Sequence, residues 1–346
     1  MKNTLLTDNQ TERYHSIDFL KGICIVFIIV THYAWEDSER LRYLFPFWID
    51  MAVPIFMIMS GFVYTKSFLK KDISTLEKAY SIRNILGKII RYSVPFIIAF
   101  IIEMVVFNVS GVKHYNIWQI GKYFFRGGVG KGSYYYPIMI QFIFLFPIIL
   151  LIVQKYDFNG VLICAFVNLS YEFLRRMYGM PVGEYRLLVF RYTLLISYGS
   201  YLAMGNYKRH TKLSRLSFFI GIMYIIVFCY MGYTPLITNF WTTTSMWACL
   251  YIIPISGSLI FNKKLCNKLI ETIGKASYNI FLVQMVYYNG AKALYRIVQI
   301  KNRGGQLLMN IIICLSIGVL FYFVETPITK FVYNKAYRIL DKYVKS

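Results

Sequence analysis

One of the four histidines in this chain, His32, sits inside a long apolar run, while His15, His114 and His210 fall in polar segments. An imidazole titrates near neutral pH and can take a proton from a hydroxyl, so His32 is a candidate general base. The alternative is an interfacial histidine satisfied by a neighbour, and position alone leaves both readings open. In the same run Asp18 and Lys21 stand three residues apart, on one helical face, where they can pair. His32 follows Asp18 by fourteen residues, or about 21 Å along a helix axis. One helix would therefore hold a charged pair at one end and an imidazole towards the other.

Further charged groups interrupt apolar runs, where a charge is costly and by default functional. Arg91 follows a strongly basic loop. It either anchors the topology or grips phosphate on a cytosolic cosubstrate through its planar fork. Glu103, deeper in the same run, is either a protonated carboxyl packed between helices or part of a pore lining. Arg191, in LLVFRYTLLIS, needs a partner, and Glu103 and Glu172 are carboxylates at comparable depth. The stretch GGVGKGS (127–133) fails the spacing of a phosphate loop, because Phe125 stands where the first glycine belongs. It reads as a flexible loop. The six scattered cysteines form no CxxC pair and no Cys/His cluster, so neither a disulfide framework nor a metal site is expected.

Long apolar helices are needed to carry these groups. Hydrophobic residues make up 57% of the 346 and charged residues 16%, with a mean hydropathy of +0.50, where a soluble domain carries about 25% charge. The expectation is an all-α polytopic membrane protein with ten spans, near 17–35, 44–65, 91–110, 134–154, 158–174, 187–205, 215–233, 240–261, 269–290 and 306–325. Alternate loops counted from a cytoplasmic N-terminus hold 23 Lys and Arg, against 13 in the others, which puts both termini inside. The net charge of +22 belongs to these loops and to anionic headgroups, not to nucleic acid. No cleavable signal peptide is expected, since a polar opening precedes a run long enough to stay as a helix. The chain reads as one membrane domain over 1–346, with a polar segment at 1–16 and a basic tail at 326–346. That tail reads as a short amphipathic segment on the inner surface.

Several segments, in order, resemble the membrane-bound acyltransferase 3 family. IDFLKGICIVFIIVTHYAW is similar to its opening helix, giving Asp18, Lys21, Gly22 and His32. VPIFMIMSGFVY resembles its second helix, giving Val53, Pro54, Phe56, Ser60, Gly61 and Phe62, and KIIRYSVPF its third, giving Lys88, Arg91 and Pro95. YYYPIMIQFIFLFP, ending at Pro147, is similar to a fourth segment. IGKASYNIFLVQM gives Gly274, Ser277, Tyr278 and Phe281, and ETP closes the set at Glu325 to Pro327. Two positions depart from the family pattern. Lys21 stands where Arg is common, and Gln284 where many members have His.

The resemblance implies ten helices in the plasma or inner membrane. It also implies O-acylation, usually O-acetylation, of a cell-surface carbohydrate from cytosolic acyl-CoA, with no bound cofactor. The partners would be membrane lipids, the acyl-CoA and the carbohydrate acceptor. On this reading His32 deprotonates the sugar hydroxyl. Arg91, Lys88, Lys21 and Asp18 form the acyl-CoA end, where the basic groups hold the phosphates. Ser60 is either a covalent acyl carrier or, as part of a Ser-Gly-Phe turn, a packing residue. A transporter or flippase for a lipid-linked glycan would explain the spans and buried charges equally well, and a non-enzymatic subunit of an export complex is the other rival. The transporter does not explain the motifs in this order, and the subunit reading expects His32→Ala to be silent.

Overall fold

The computed structural model describes residues 14–109, 114–205, 211–233 and 244–345, and every regular element among them is helical. In chain order they are α1 (His15–His32), α2 (Asp37–Arg42), α3 (Ala52–Lys70), α4 (Leu76–Ala79), α5 (Ile82–Val109), α6 (Ile117–Phe125), α7 (Tyr135–Tyr156) and α8 (Phe158–Met177). They continue as α9 (Val182–Tyr185), α10 (Thr193–Ala203), α11 (Thr211–Ile225), α12 (Met246–Cys249), α13 (Ile252–Ile260), α14 (Lys268–Lys275), α15 (Ser277–Ile297) and α16 (Arg303–Lys345).

Six segments are long and apolar enough to cross a membrane: His15–His32, Phe45–Lys70, Leu76–Phe107, Tyr135–Tyr156, Lys212–Tyr230 and Arg303–Lys342. The other four expected spans are helical too, but shorter, interrupted or more polar. α8 carries Glu172, Arg175 and Arg176, α10 has 11 residues, and the 240–261 segment divides into α12 and α13. The 269–290 segment breaks between α14 and α15. The outer surface is apolar, with Ile101, Ile102 and Val105 on α5, Phe219 and Met223 on α11, and Leu308, Leu320 and Phe323 on α16 all exposed. Water does not tolerate a continuous apolar surface of this kind, and lipid does. The protein is a multi-pass membrane protein.

Apolar surface does not drive helices together inside lipid, so close backbone approach at small residues must. Two crossings do this reciprocally. Where α3 meets α10, a Cβ on Gly61 would lie 2.1 Å from the Ile196 carbonyl oxygen, and one on Gly199 would lie 2.0 Å from that of Ile58. Where α1 meets α14, a Cβ on Gly274 would lie 1.8 Å from the Asp18 carbonyl oxygen, and one on Gly22 would lie 2.4 Å from that of Ile270. The glycines in the opening-helix motif and in the IGKASYN motif therefore face one another. The spacing of both motifs is set first by packing.

The bundle has two distinguishable ends. At one, Ser16 Oγ donates to the Ile260 carbonyl (2.5 Å) and Lys88 Nζ lies 4.0 Å from the centre of the Phe68 ring. α16 finishes there as well, with the Tyr337 hydroxyl donating to the Arg83 carbonyl and Asp341 lying 3.7 Å from Arg83. At the other end α1 stops at His32, and Arg303, opening α16, is ion-paired with Glu39.

The tail differs from expectation. α16 runs unbroken through Glu325, Thr326 and Pro327 for 43 residues, about 64 Å. The 326–345 stretch is thus a continuation of this helix, laid against the start of α5, and not a separate amphipathic segment. Gly87 leaves room for it, since a Cβ there would meet the Tyr337 hydroxyl at 2.6 Å. Buried Glu325 accepts from Asn279 Nδ2 (2.9 Å), which fastens α16 to α15, and from the Thr329 hydroxyl one turn further along α16.

Candidate active site

His32 is the last residue of α1, so its ring lies where the helix releases the chain. Its Nδ1 is 2.7 Å from Oε1 of Gln284, a fully buried residue on α15. Gln284 Nε2 donates to the Lys131 carbonyl (3.1 Å). A carbonyl only accepts, so the amide nitrogen must face Lys131 and the amide oxygen must face the imidazole. In the neutral ring, Nδ1 therefore carries the proton and Nε2 the lone pair. Lys131 Nζ closes the circuit by donating to the His32 carbonyl (2.6 Å).

Lys131 is positioned by Glu103. That carboxylate is completely buried and accepts from the backbone N–H groups of Val129 (3.2 Å) and Gly130 (2.9 Å) and from Asn289 Nδ2 (2.7 Å). The glycine-rich stretch is thus held in place, which corrects the reading of it as a flexible loop. Gly127 and Gly132 have φ of +85° and +89°, a region that side chains disfavour. A Cβ on Gly132 would meet Phe281 at 2.9 Å and His32 Cε1 at 3.0 Å, and one on Gly130 would meet the Met285 carbonyl oxygen at 2.2 Å. The glycines are there because the loop lies directly on α15 and on the imidazole.

Beside His32 opens a cavity of roughly 240 Å³ whose charged lining is Arg40, Asp50, Lys131, Arg186 and Arg191. Arg40 is paired with Asp50 and also donates to Thr31 Oγ1 (3.1 Å). Arg191 Nη2 donates to Thr244 Oγ1 (3.2 Å), and its guanidinium lies over Tyr185 (5.0 Å) and Tyr192 (4.7 Å). Glu172 accepts from the Met246 N–H (3.0 Å), so both groups converge on the 244–246 turn. Of the two carboxylates considered for Arg191, Glu172 is the one directed there, because Glu103 is committed to the 129–130 backbone. A second cavity, between α8, α10, α11 and α12, is lined almost wholly by apolar side chains and holds no titratable group except tyrosine.

The remaining expected site residues are elsewhere. Asp18, Lys21, Lys88, Arg91 and Ser60 do not line the His32 cavity. Asp18 and Lys21 are half-buried near the α14 crossing, and Arg91 is exposed. Lys88 shares a helix face with Arg91 and lies over the rings of Phe68 and Tyr64. Ser60 is half-buried beside the Gly61 crossing. Between Lys88 and His32 runs a series of aromatic contacts. Tyr64 meets Tyr92 (hydroxyls 3.5 Å apart), Tyr92 meets Tyr278 (5.2 Å), Tyr278 meets Tyr135 (6.3 Å) and Tyr135 meets Phe281 (4.9 Å).

Sequence reasoning missed Gln284 as a site residue, although its departure from the family pattern marked the position. It also missed Asp50, a carboxylate inside the 44–65 apolar run and therefore a visible signal. Arg40, Lys131 and Arg186 were legible only as loop charges. Among the described residues, no cluster of His, Cys, Asp and Glu has the form of a metal site.

A family model described as an acyltransferase domain matches residues 14–329 of the chain. No curated protein and no solved structure matches it.

Proposed function

The chain belongs to the acyltransferase 3 family, and on that premise we propose that it is a membrane O-acyltransferase using cytosolic acyl-CoA, with acetyl the simplest acyl group. The acceptor is a hydroxyl of a cell-surface polysaccharide or lipid-linked glycan. The observation that carries this reading is the hydrogen-bonded His32. Gln284 fixes the proton on Nδ1, which leaves the Nε2 lone pair to act as base.

In the proposed reaction, Nε2 takes the hydroxyl proton while the oxygen attacks the thioester carbonyl carbon. The carbon–sulfur bond then breaks, and the thiolate leaves with the proton returned by the imidazolium. Charge develops on the carbonyl oxygen in between, and a fixed cation opposes it. Arg191, held by Thr244 and two tyrosine rings, is our candidate for that cation.

The donor would enter at the opposite end. Arg91 is exposed there and Lys88 lies on the same face, which suits an anionic cosubstrate. Asp18 and Lys21 lie fourteen and eleven residues before His32 on α1, so the acyl arm must reach about 16–21 Å through the bundle. The aromatic series from Tyr64 to Phe281 is the part of the bundle that such an arm would have to pass. The same reading takes the chain as one domain crossing the plasma or inner membrane ten times, with both termini cytoplasmic and four of the ten passages made by the shorter helices.

The test uses inside-out membrane vesicles given acetyl-CoA labelled in the acetyl group. Label transferred to glycan by the wild type, and lost in His32→Ala at equal protein level, is the expected result. Equal labelling by both would refute the assignment of His32. No labelling by the wild type with any short acyl-CoA would favour the transporter.

A further inference from the structure

The His32 cavity holds more positive charge than acyl transfer to a neutral sugar needs. Arg40 is matched by Asp50, and Arg191 converges with Glu172 on one turn. Lys131 and Arg186 remain. Among the described residues neither is in an ion pair: Lys131 Nζ donates to the His32 carbonyl, and the Arg186 guanidinium lies 5.8 Å from the centre of the Tyr134 ring. Partial desolvation, together with nearby Lys292 and Arg40, holds the Lys131 ammonium below its ordinary pKa. An ammonium among like charges is one that an incoming anion relieves. Both side chains line the same cavity as the imidazole, where four cations face one carboxylate, and a recessed cavity with an excess of one sign concentrates ligands of the opposite sign.

Size narrows the ligand. Roughly 240 Å³ is less than the range of about 300–1,000 Å³ typical of pockets for drug-sized ligands. The cavity therefore suits one small unit of a chain.

We infer that the acceptor unit seated at His32 is anionic: it carries a carboxylate, phosphate or sulfate near the acylated hydroxyl, and Lys131 and Arg186 bind that group. The inference rests on the acyltransferase reading and adds the substrate class. It also separates two roles within one cavity, with Arg191 opposing charge that forms during reaction and Lys131 and Arg186 meeting charge already on the substrate.

The test has two parts. The first determines the composition of the unit that wild-type cells acylate and cells carrying His32→Ala do not. An acid group on that unit is expected. A neutral acylated unit would overturn the inference and leave acyl transfer intact, whereas no acyl difference between the two cells would remove the reading beneath it as well. The second part uses glycan from the His32→Ala cells as acceptor for full-length Arg186→Gln and Lys131→Gln in membranes. The KM for this glycan should rise at least about tenfold with the KM for acyl-CoA unchanged, and Arg186→Lys should retain most of the wild-type affinity. A rise confined to the KM for acyl-CoA would assign the two cations to the donor's phosphates and overturn the inference.

Discussion

The Nδ1 of His32 and the side-chain oxygen of Gln284 lie 2.7 Å apart, joining the end of α1 to the buried face of α15. Their partnership fixes which imidazole nitrogen is free. In the proposed reaction it also lets Gln284 orient the base at a position where the family pattern often has His. Gln284→Ala should remove the partner without filling the space, lowering kcat by roughly ten- to a hundredfold, with a smaller effect on the KM for acyl-CoA. Steady-state kinetics in membranes checks this, and an unchanged kcat would show that the orientation of His32 comes from elsewhere.

Glu103 acts at one remove, through the loop that carries Lys131. Glu103→Ala leaves the Val129 and Gly130 N–H groups without their acceptor, at a cost of about 1–3 kcal/mol for each left unsatisfied, and frees the exposed Asn289. The expected outcome is a lower melting temperature in detergent together with loss of acylation. Glu103→Gln, which keeps an acceptor oxygen, should lose less of both.

Ser60 and Gly61 are adjacent and should behave oppositely. Gly61→Val drives a side chain into the Ile196 backbone, so little folded protein should be recovered by size-exclusion chromatography. Ser60→Ala removes only a hydroxyl from a half-buried position, and its effect on stability should stay within about 0.5 kcal/mol. Full acylation activity in Ser60→Ala would dismiss a covalent acyl-serine. Complete loss in a folded protein would revive it.

Arg91→Ala should raise the KM for acyl-CoA by about tenfold and leave kcat largely intact, since it removes binding that is uniform along the reaction. Because the group is exposed, the wild-type KM should itself rise with ionic strength, and the variant's should rise less.

How far the sequence revealed this depends on whether a residue's role is local. His32 was legible because a histidine in an apolar run is conspicuous, and Glu103 and Arg191 for the same reason. The six long apolar helices were legible from run length. α8, α10 and α12 to α15 were legible as helices, but their lengths were not, because tertiary contacts end them where local hydropathy does not. The glycine-rich 127–133 stretch misled for a physical reason. Glycine permits flexibility in a free chain and close approach in a packed one, and here Gly130 lies on Met285 and Gly132 on His32. The Lys131 contacts with His32 and Gln284 span 99 and 153 residues, and no local pattern encodes them. The tail misled because an amphipathic pattern does not say whether a helix continues past a proline.

In the proposed reaction His32 moves an acyl group onto a surface glycan. Mass spectrometry of that glycan, from cells expressing the wild type or His32→Ala at equal membrane levels, tests it most directly. The wild-type glycan should be heavier by one acyl group on each modified unit, and the variant's should not. The same acyl mass in both would contradict it.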